Sequence, residues 1–126
     1  MKTIKILCIA LSAIFFTSCS KSKTAQATIV KYAIEPMNIY FTEIAYIDNN
    51  GNEVVNTNPS DKDSVVSFSI RTKPFNAKLV ARCNNVSTAT VAYTMVIFVN
   101  GQPKQFKQLD IPPQAIEADS IMFTIQ

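Results

Sequence analysis

Only two glycines occur in the 126 residues, and each follows an asparagine, in Asp48-Asn49-Asn50-Gly51-Asn52 and in Asn100-Gly101. Asparagine and glycine tolerate the positive φ angles that a tight primed turn demands, so each pair reads as the tip of a β-hairpin. Around these tips the chain breaks into short runs rich in valine, isoleucine, threonine and aromatic residues, bounded by turn residues. The runs are Thr28 to Glu35, Ile39 to Asp48, Glu53 to Thr57, Ser64 to Arg71, Asn76 to Cys83, Thr90 to Val99, Lys104 to Leu109 and Ser120 to Ile125, and none reads as a helix. The pattern predicts an all-β fold, an antiparallel β-sandwich of about seven to eight strands, with a small barrel as the alternative. The two hairpins join the second strand to the third and the sixth to the seventh. Pro112-Pro113 predicts an extended loop before the last strand, because proline cannot donate to a ladder.

Alternation assigns the faces. Val66, Phe68 and Ile70 stand opposite Ser67, Ser69 and Arg71, as expected of a strand with one wet face. Thr90 to Val99 is apolar on both sides, which predicts a central strand. Ala77, Leu79, Ala81 and Cys83 share one face and read as core. On Ile39 to Asp48 the expected core face is Ile39, Phe41, Ala45 and Ile47, which leaves Tyr40 and Tyr46 on the exposed side as candidate interface residues. Glu53 to Thr57, short and next to a hairpin tip, suits an edge.

The amino terminus carries a second message. Lys2 and Lys5 precede an apolar run, Ile6 to Phe16, interrupted only by Ser12. That run is shorter than the ~20 residues a membrane-spanning helix needs and suits the h-region of a secretory signal. The small residues Thr17 and Ser18 then stand directly before Cys19. Phe16-Thr17-Ser18-Cys19 resembles the lipobox of bacterial lipoproteins, with Phe16 where leucine is usual. The resemblance implies that the Cys19 thiol carries diacylglycerol, that the chain is cut before Cys19, and that the new amino terminus is acylated. The expected organisation is a signal peptide over 1–18, a lipidated cysteine and tether over 19–27, and one sandwich domain over 28–126. Two acyl chains already anchor a protein stably. The tether from Ser20 to Gln26 reaches only about 23 Å at ~3.3 Å per residue, so the domain stays near the bilayer.

Charge and cysteine content follow from this division. The full chain has a net charge of +3, but the globular part holds 8 basic and 9 acidic residues once Lys2, Lys5, Lys21 and Lys23 are set aside. No nucleic-acid footprint is expected from such a balance. Of the three cysteines, Cys8 leaves with the signal and Cys19 takes the lipid, so Cys83 has no disulfide partner and reads as a buried small hydrophobe.

Catalytic chemistry finds little material. The chain contains no histidine, so a serine or cysteine nucleophile lacks an imidazole base and a zinc site lacks its commonest nitrogen ligand. Asp61 with Asp63 and Glu117 with Asp119 are acidic pairs in polar, loop-like stretches with no apolar pocket to raise a pKa, and they read as solvated loop charges. Asp48 to Glu53 offers oxygen ligands, but its glycine stands fourth where a calcium loop of the EF-hand type has it sixth, and a hairpin turn explains the same residues. No cofactor, metal or catalytic residue is expected.

The segments Val30-Lys31-Tyr32, Ile44-Ala45-Tyr46-Ile47-Asp48-Asn49-Asn50-Gly51, Phe75-Asn76-Ala77-Lys78-Leu79-Val80-Ala81 and Val96-Ile97-Phe98-Val99-Asn100-Gly101-Gln102-Pro103 follow in an order that resembles the mycobacterial membrane protein small family. The resemblance implies an Ig-like or transthyretin-like sandwich attached to a membrane and assisting an envelope machine. The chain is also similar to small lipoproteins of Bacteroidetes, in which acidic residues after the lipidated cysteine favour surface display. Here Lys21 and Lys23 follow instead, which points to an outer membrane anchor facing the periplasm. The expected function is a non-enzymatic binding or accessory lipoprotein of the cell envelope that contacts an envelope protein. The alternative is a surface-exposed glycan- or ligand-binding module.

Overall fold

The computed structural model describes residues 26–38 and 40–126. The expected signal peptide, Cys19 and the expected tether up to residue 25 lie outside the described residues, as does Ile39. Eight strands form: β1 (Thr28–Glu35), β2 (Phe41–Ile47), β3 (Glu53–Asn56), β4 (Val65–Ile70), β5 (Phe75–Asn84), β6 (Val91–Val99), β7 (Gln102–Ile111) and β8 (Ile116–Ile125), with one 3₁₀ turn at Asp61–Ser64. They make two four-stranded sheets, β4-β1-β6-β7 and β3-β2-β5-β8, and every pairing is antiparallel. Each sheet keeps its own two edge strands, so the fold is a sandwich and not a barrel. No helix among the described residues is long and apolar enough to cross a membrane.

The core is built by alternation. On β5, Phe75, Ala77, Leu79, Ala81 and Cys83 all point inward and are buried. On β6, Tyr93, Met95, Ile97 and Val99 do the same from the other sheet, and β6 is internal between β1 and β7. The larger of these, Phe75, Leu79, Met95, Ile97 and Val99, contribute roughly 1.5–3 kcal/mol each by leaving water. Aromatic edges lock the two layers: Phe41 meets Tyr93 with ring centroids 4.8 Å apart, and Phe68 meets Phe75 at 6.2 Å. The Tyr32 hydroxyl also crosses between the sheets and donates to the Ile47 carbonyl at 2.9 Å. Burial pushes its phenol up to about 12.

Both predicted hairpins form, by different turns. Asn100 and Gly101 both have positive φ, 50° and 78°, and make the expected two-residue primed loop between Val99 and Gln102. In the other, Gly51 alone has positive φ, 83°, and its N–H closes a turn onto the Asp48 carbonyl at 3.0 Å. The primed turn expected there is therefore replaced by a longer one. The Asp48 carboxylate stabilises it by accepting from the N–H groups of Asn50 and Asn52, both at 2.9 Å.

Strand β2 departs from its predicted faces. Phe41 pairs with Cys83 but Glu43 pairs with Arg82, so two residues of β2 oppose one of β5. Such a bulge inserts an extra residue and flips the side-chain phase beyond it. Ile44 and Tyr46 consequently turn inward; Ala45, paired with Val55, is still buried at 4%, and Ile47, paired with Glu53, is half-buried against the margin of the core.

The register defines two ends. At the lower end lie the start of β1, loops 48–52 and 71–74, the 100–101 hairpin and the end of β8. At the upper end lie the 3₁₀ turn and loops 85–90 and 112–115.

Candidate interaction surface

The predicted interface residues Tyr40 and Tyr46 are not exposed together. Tyr40 stands just before β2, half-buried against the core, with its N–H on the Asn38 side chain and its carbonyl accepting from the Asn84 N–H. Tyr46, near the other end of β2, packs its ring on Tyr32 at 5.7 Å. The bulge between Phe41 and Glu43 turns Tyr46 toward the core, which is why it lacks the exposure expected of it.

The candidate chemical groups are engaged or sealed. Cys83 is fully buried, and burial, reinforced by the Glu117 carboxylate, raises its thiol above the usual range. The Tyr93 hydroxyl is buried without a hydrogen-bond partner among the described residues, and burial raises its phenol strongly. Asp63 accepts from the Ser60 N–H at 2.7 Å and the Ser60 hydroxyl at 2.9 Å, contacts that hold its carboxyl below the usual range. Glu117 and Asp119 belong to β8 and not to a loop, because the last strand begins four residues earlier than its sequence pattern suggested. The Lys107 ammonium pairs with Asp119 and lowers its pKa. A general acid needs the opposite shift. Among the described residues no group of three or more histidine, cysteine or acidic side chains is placed to hold a metal ion.

One polar residue escaped the sequence reading. Asn85 is 0% exposed. Its amide donates to the carbonyls of Ala89, Ile111 and Pro112 at 2.8, 2.9 and 3.0 Å, and its Oδ1 accepts from the Ser87 N–H and hydroxyl. Gln114, at φ 58°, completes the tie by donating to the Val86 and Ser87 carbonyls. Asn84-Asn85 looks like any turn signal in sequence. Only the approach of two loops distant in the chain reveals its role.

The outer face of the β4-β1-β6-β7 sheet offers the remaining candidate. Val65, Ala33, Val96 and Phe106 are in register, one from each strand, and form an apolar row across the sheet in which Ala33 is buried and Val96 half-buried between the exposed Val65 and Phe106. Phe106 is 70% exposed and Val65 43%. The neighbouring row holds Ser67, Lys31 and Phe98, with the Lys31 ammonium 4.1 Å from the centre of the Phe98 ring, so the one charge in that row lies over an aromatic face. Strands of six, eight, nine and ten residues spaced about 4.8 Å apart present on the order of 500 Å², somewhat less than one side of a standard interface. The two apolar faces of β6 had predicted only a central strand. A partial signal for the surface was present in Lys104-Gln105-Phe106-Lys107-Gln108, where a single aromatic stands in a polar strand.

A second depression, about 360 Å³, lies at the lower end between Ile47, Gly51, Phe75, Asn76, Lys78 and Met122. Beside it, Lys78 pairs with Glu53 at 3.2 Å.

Compared with known proteins, the chain matches no family model, and no curated protein matches it.

Proposed function

We propose that the protein is a lipid-anchored, non-enzymatic accessory protein of the bacterial cell envelope that contacts an envelope protein through the outer face of the β4-β1-β6-β7 sheet. The observation that carries this reading is the in-register row Val65–Ala33–Val96–Phe106, which ends in a phenylalanine 70% exposed. Such a side chain has no folding role that requires it to stay apolar, and exposed aromatics often dominate interface energy. The anchor rests on Phe16-Thr17-Ser18-Cys19. The absence of catalysis is supported by the lack of histidine and by the lowered carboxyls of Asp63 and Asp119.

The test combines the two parts. In cells fed labelled fatty acid, the wild type incorporates label and Cys19→Ala does not. A photo-crosslinking residue at position 106 captures one envelope protein, while the same residue at position 122, exposed on the opposite sheet, does not. Phe106→Ala keeps its stability within about 0.5 kcal/mol and loses at least fivefold of the capture by a crosslinker at position 104. Equal capture from positions 106 and 122, or capture indifferent to Phe106→Ala, refutes the assigned face.

The alternative reading, a surface-exposed glycan- or ligand-binding module, has one observation in its favour, the depression flanked by Asn76 and Lys78. Digestion of the domain by protease added to whole cells would support that reading against the periplasmic one.

A further inference from the structure

We infer that the lower end of the sandwich is a docking surface for anionic phospholipid headgroups, so that the domain stands upright on the bilayer that anchors it. The inference rests on the lipid-anchored reading above and concerns what the domain does once tethered. The near-neutral globular charge conceals a steep asymmetry along the strands. Register places Lys31, Arg71, Lys73, Lys78 and Lys104 within about four residues of the lower end, against Asp48 and Glu53. The upper half holds seven acidic side chains, among them Asp61, Asp63, Asp110 and Asp119, against the three bases Lys62, Arg82 and Lys107. The two halves thus carry +3 and −4 in side-chain charge.

Two features make this more than a solvated charge run. First, Glu53 engages Lys78, whereas Arg71, Lys73 and Lys104 are exposed and have no ion-pair partner among the described residues. Second, β1 begins at the same end, at Thr28. The described chain therefore enters the domain at the basic end, and the sequence preceding it carries two further bases, Lys21 and Lys23. A ten-residue strand such as β5 spans about 33 Å, several times the ~8 Å Debye length of physiological salt. The acidic end therefore does not cancel the basic one at the membrane, and a negative bilayer attracts one end while repelling the other. In this pose both sheet faces run along the membrane normal, and the apolar row on the outer face of the β4-β1-β6-β7 sheet opens sideways to a partner in the same envelope layer.

The chain has no tryptophan, so an introduced indole is the sole donor for energy transfer to dansyl-labelled headgroups. The full chain as isolated from membranes is reconstituted as Thr72→Trp, at the lower end, or Thr88→Trp, at the upper end. The vesicles are either one-third phosphatidylglycerol or phosphatidylcholine alone. The expected result is transfer from position 72 at least twofold higher in the anionic vesicles and transfer from position 88 lower there. Both differences should vanish at 1 M salt and in Arg71→Glu/Lys73→Glu. Transfer that ignores lipid charge, or survives the charge reversal, overturns the inference. The mass of the amino-terminal peptide reports separately on the anchor. If Cys19 carries no lipid, the same chain is mixed with preformed anionic vesicles and floated. Co-flotation that falls at least 25-fold on the double charge reversal, about fivefold per basic residue, keeps the headgroup site while the anchor reading fails. A chain that does not co-float overturns the site.

Discussion

At the upper end of the sandwich one buried asparagine ties two loops together, whereas at the lower end the 48–52 turn is closed by its own local hydrogen bonds and the 100–101 turn is tied to the start of β1. Asn85 reaches from the β5–β6 connection to the carbonyls at the end of β7, and Gln114 reaches back from the β7–β8 connection. Of the two lower hairpin turns, one depends on its own Gly51 and Asp48, while in the other the Asn100 N–H donates to the Ile29 carbonyl of β1 and its Oδ1 accepts from the Ile29 N–H, both at 2.8 Å. The difference predicts how damage spreads. A defect in the shared network should unsettle both upper loops, while a defect at Gly51 should stay within its hairpin and a defect at Asn100 should reach no further than the start of β1.

The largest expected effect comes from the network. Asn85→Ala removes the amide that serves three carbonyls in a site with 0% exposure and should lower stability by about 3 kcal/mol, since buried groups left unsatisfied cost roughly 1–3 kcal/mol each. Urea denaturation measures this, and amide hydrogen exchange should rise in both 85–90 and 112–115. A loss under 1 kcal/mol, or exchange rising in only one loop, breaks the contrast. Combining Asn85→Ala with Gln114→Ala should cost less than the separate effects added, as expected of partners in one network.

The lower turns should give a smaller, additive response. At Gly101, φ is 78° and an added Cβ meets nothing within 4 Å, so Gly101→Ala costs only the backbone penalty of the left-handed region, about 1–2 kcal/mol. The same holds for Gly51→Ala at φ 83°, and the double variant should equal the sum of the singles. Coupling between the two glycines would mean that the hairpins share support that the turns themselves do not reveal.

The smallest effect concerns acid. The Asp119 carboxyl is depressed by its hydrogen bond to Lys107. A carboxyl whose folded pKa lies below its unfolded value, about 3.9, contributes stability that is complete above that value and is lost as pH falls through the folded pKa. Thermal unfolding followed from pH 6 to pH 2.5 should therefore drop less steeply in Asp119→Asn than in the wild type. The difference should remain under about 1 kcal/mol, because the pair is partly exposed. Identical profiles would show that the β7–β8 ion pair contributes nothing. Beyond stability, Lys107 and Asp119 both point toward the open side between two edge strands, where inward-facing charge discourages edge-to-edge pairing.

Much of the fold was legible because its rules are local. Strand β1 is found at its predicted limits, all eight runs are strands, and β3 is an edge. Alternation on β5 identified Ala77, Leu79, Ala81 and Cys83 as core before any partner was known. The surface was less legible. Tyr40 and Tyr46 were assigned by a strict two-residue period, which fails for Tyr46 because a bulge intervenes and for Tyr40 because β2 begins only at Phe41. Phe106 looked unremarkable until register aligned it with Val96, Ala33 and Val65.

The amino-acid sequence by itself determined the class of fold, the strand runs and the positions of both hairpins. These follow from side-chain period, β-branched content and the few residues that tolerate positive φ, all of which act within a handful of neighbours. Tertiary structure alone decided which strands share a sheet, where β2 shifts phase, that Asn85 joins two loops, that an apolar row crosses four strands, and that balanced charges separate into a basic and an acidic end. Each of these depends on residues far apart in the chain being brought to the same level of a sheet. Pairing register sets that level, and register is a property of two strands together rather than of either one alone.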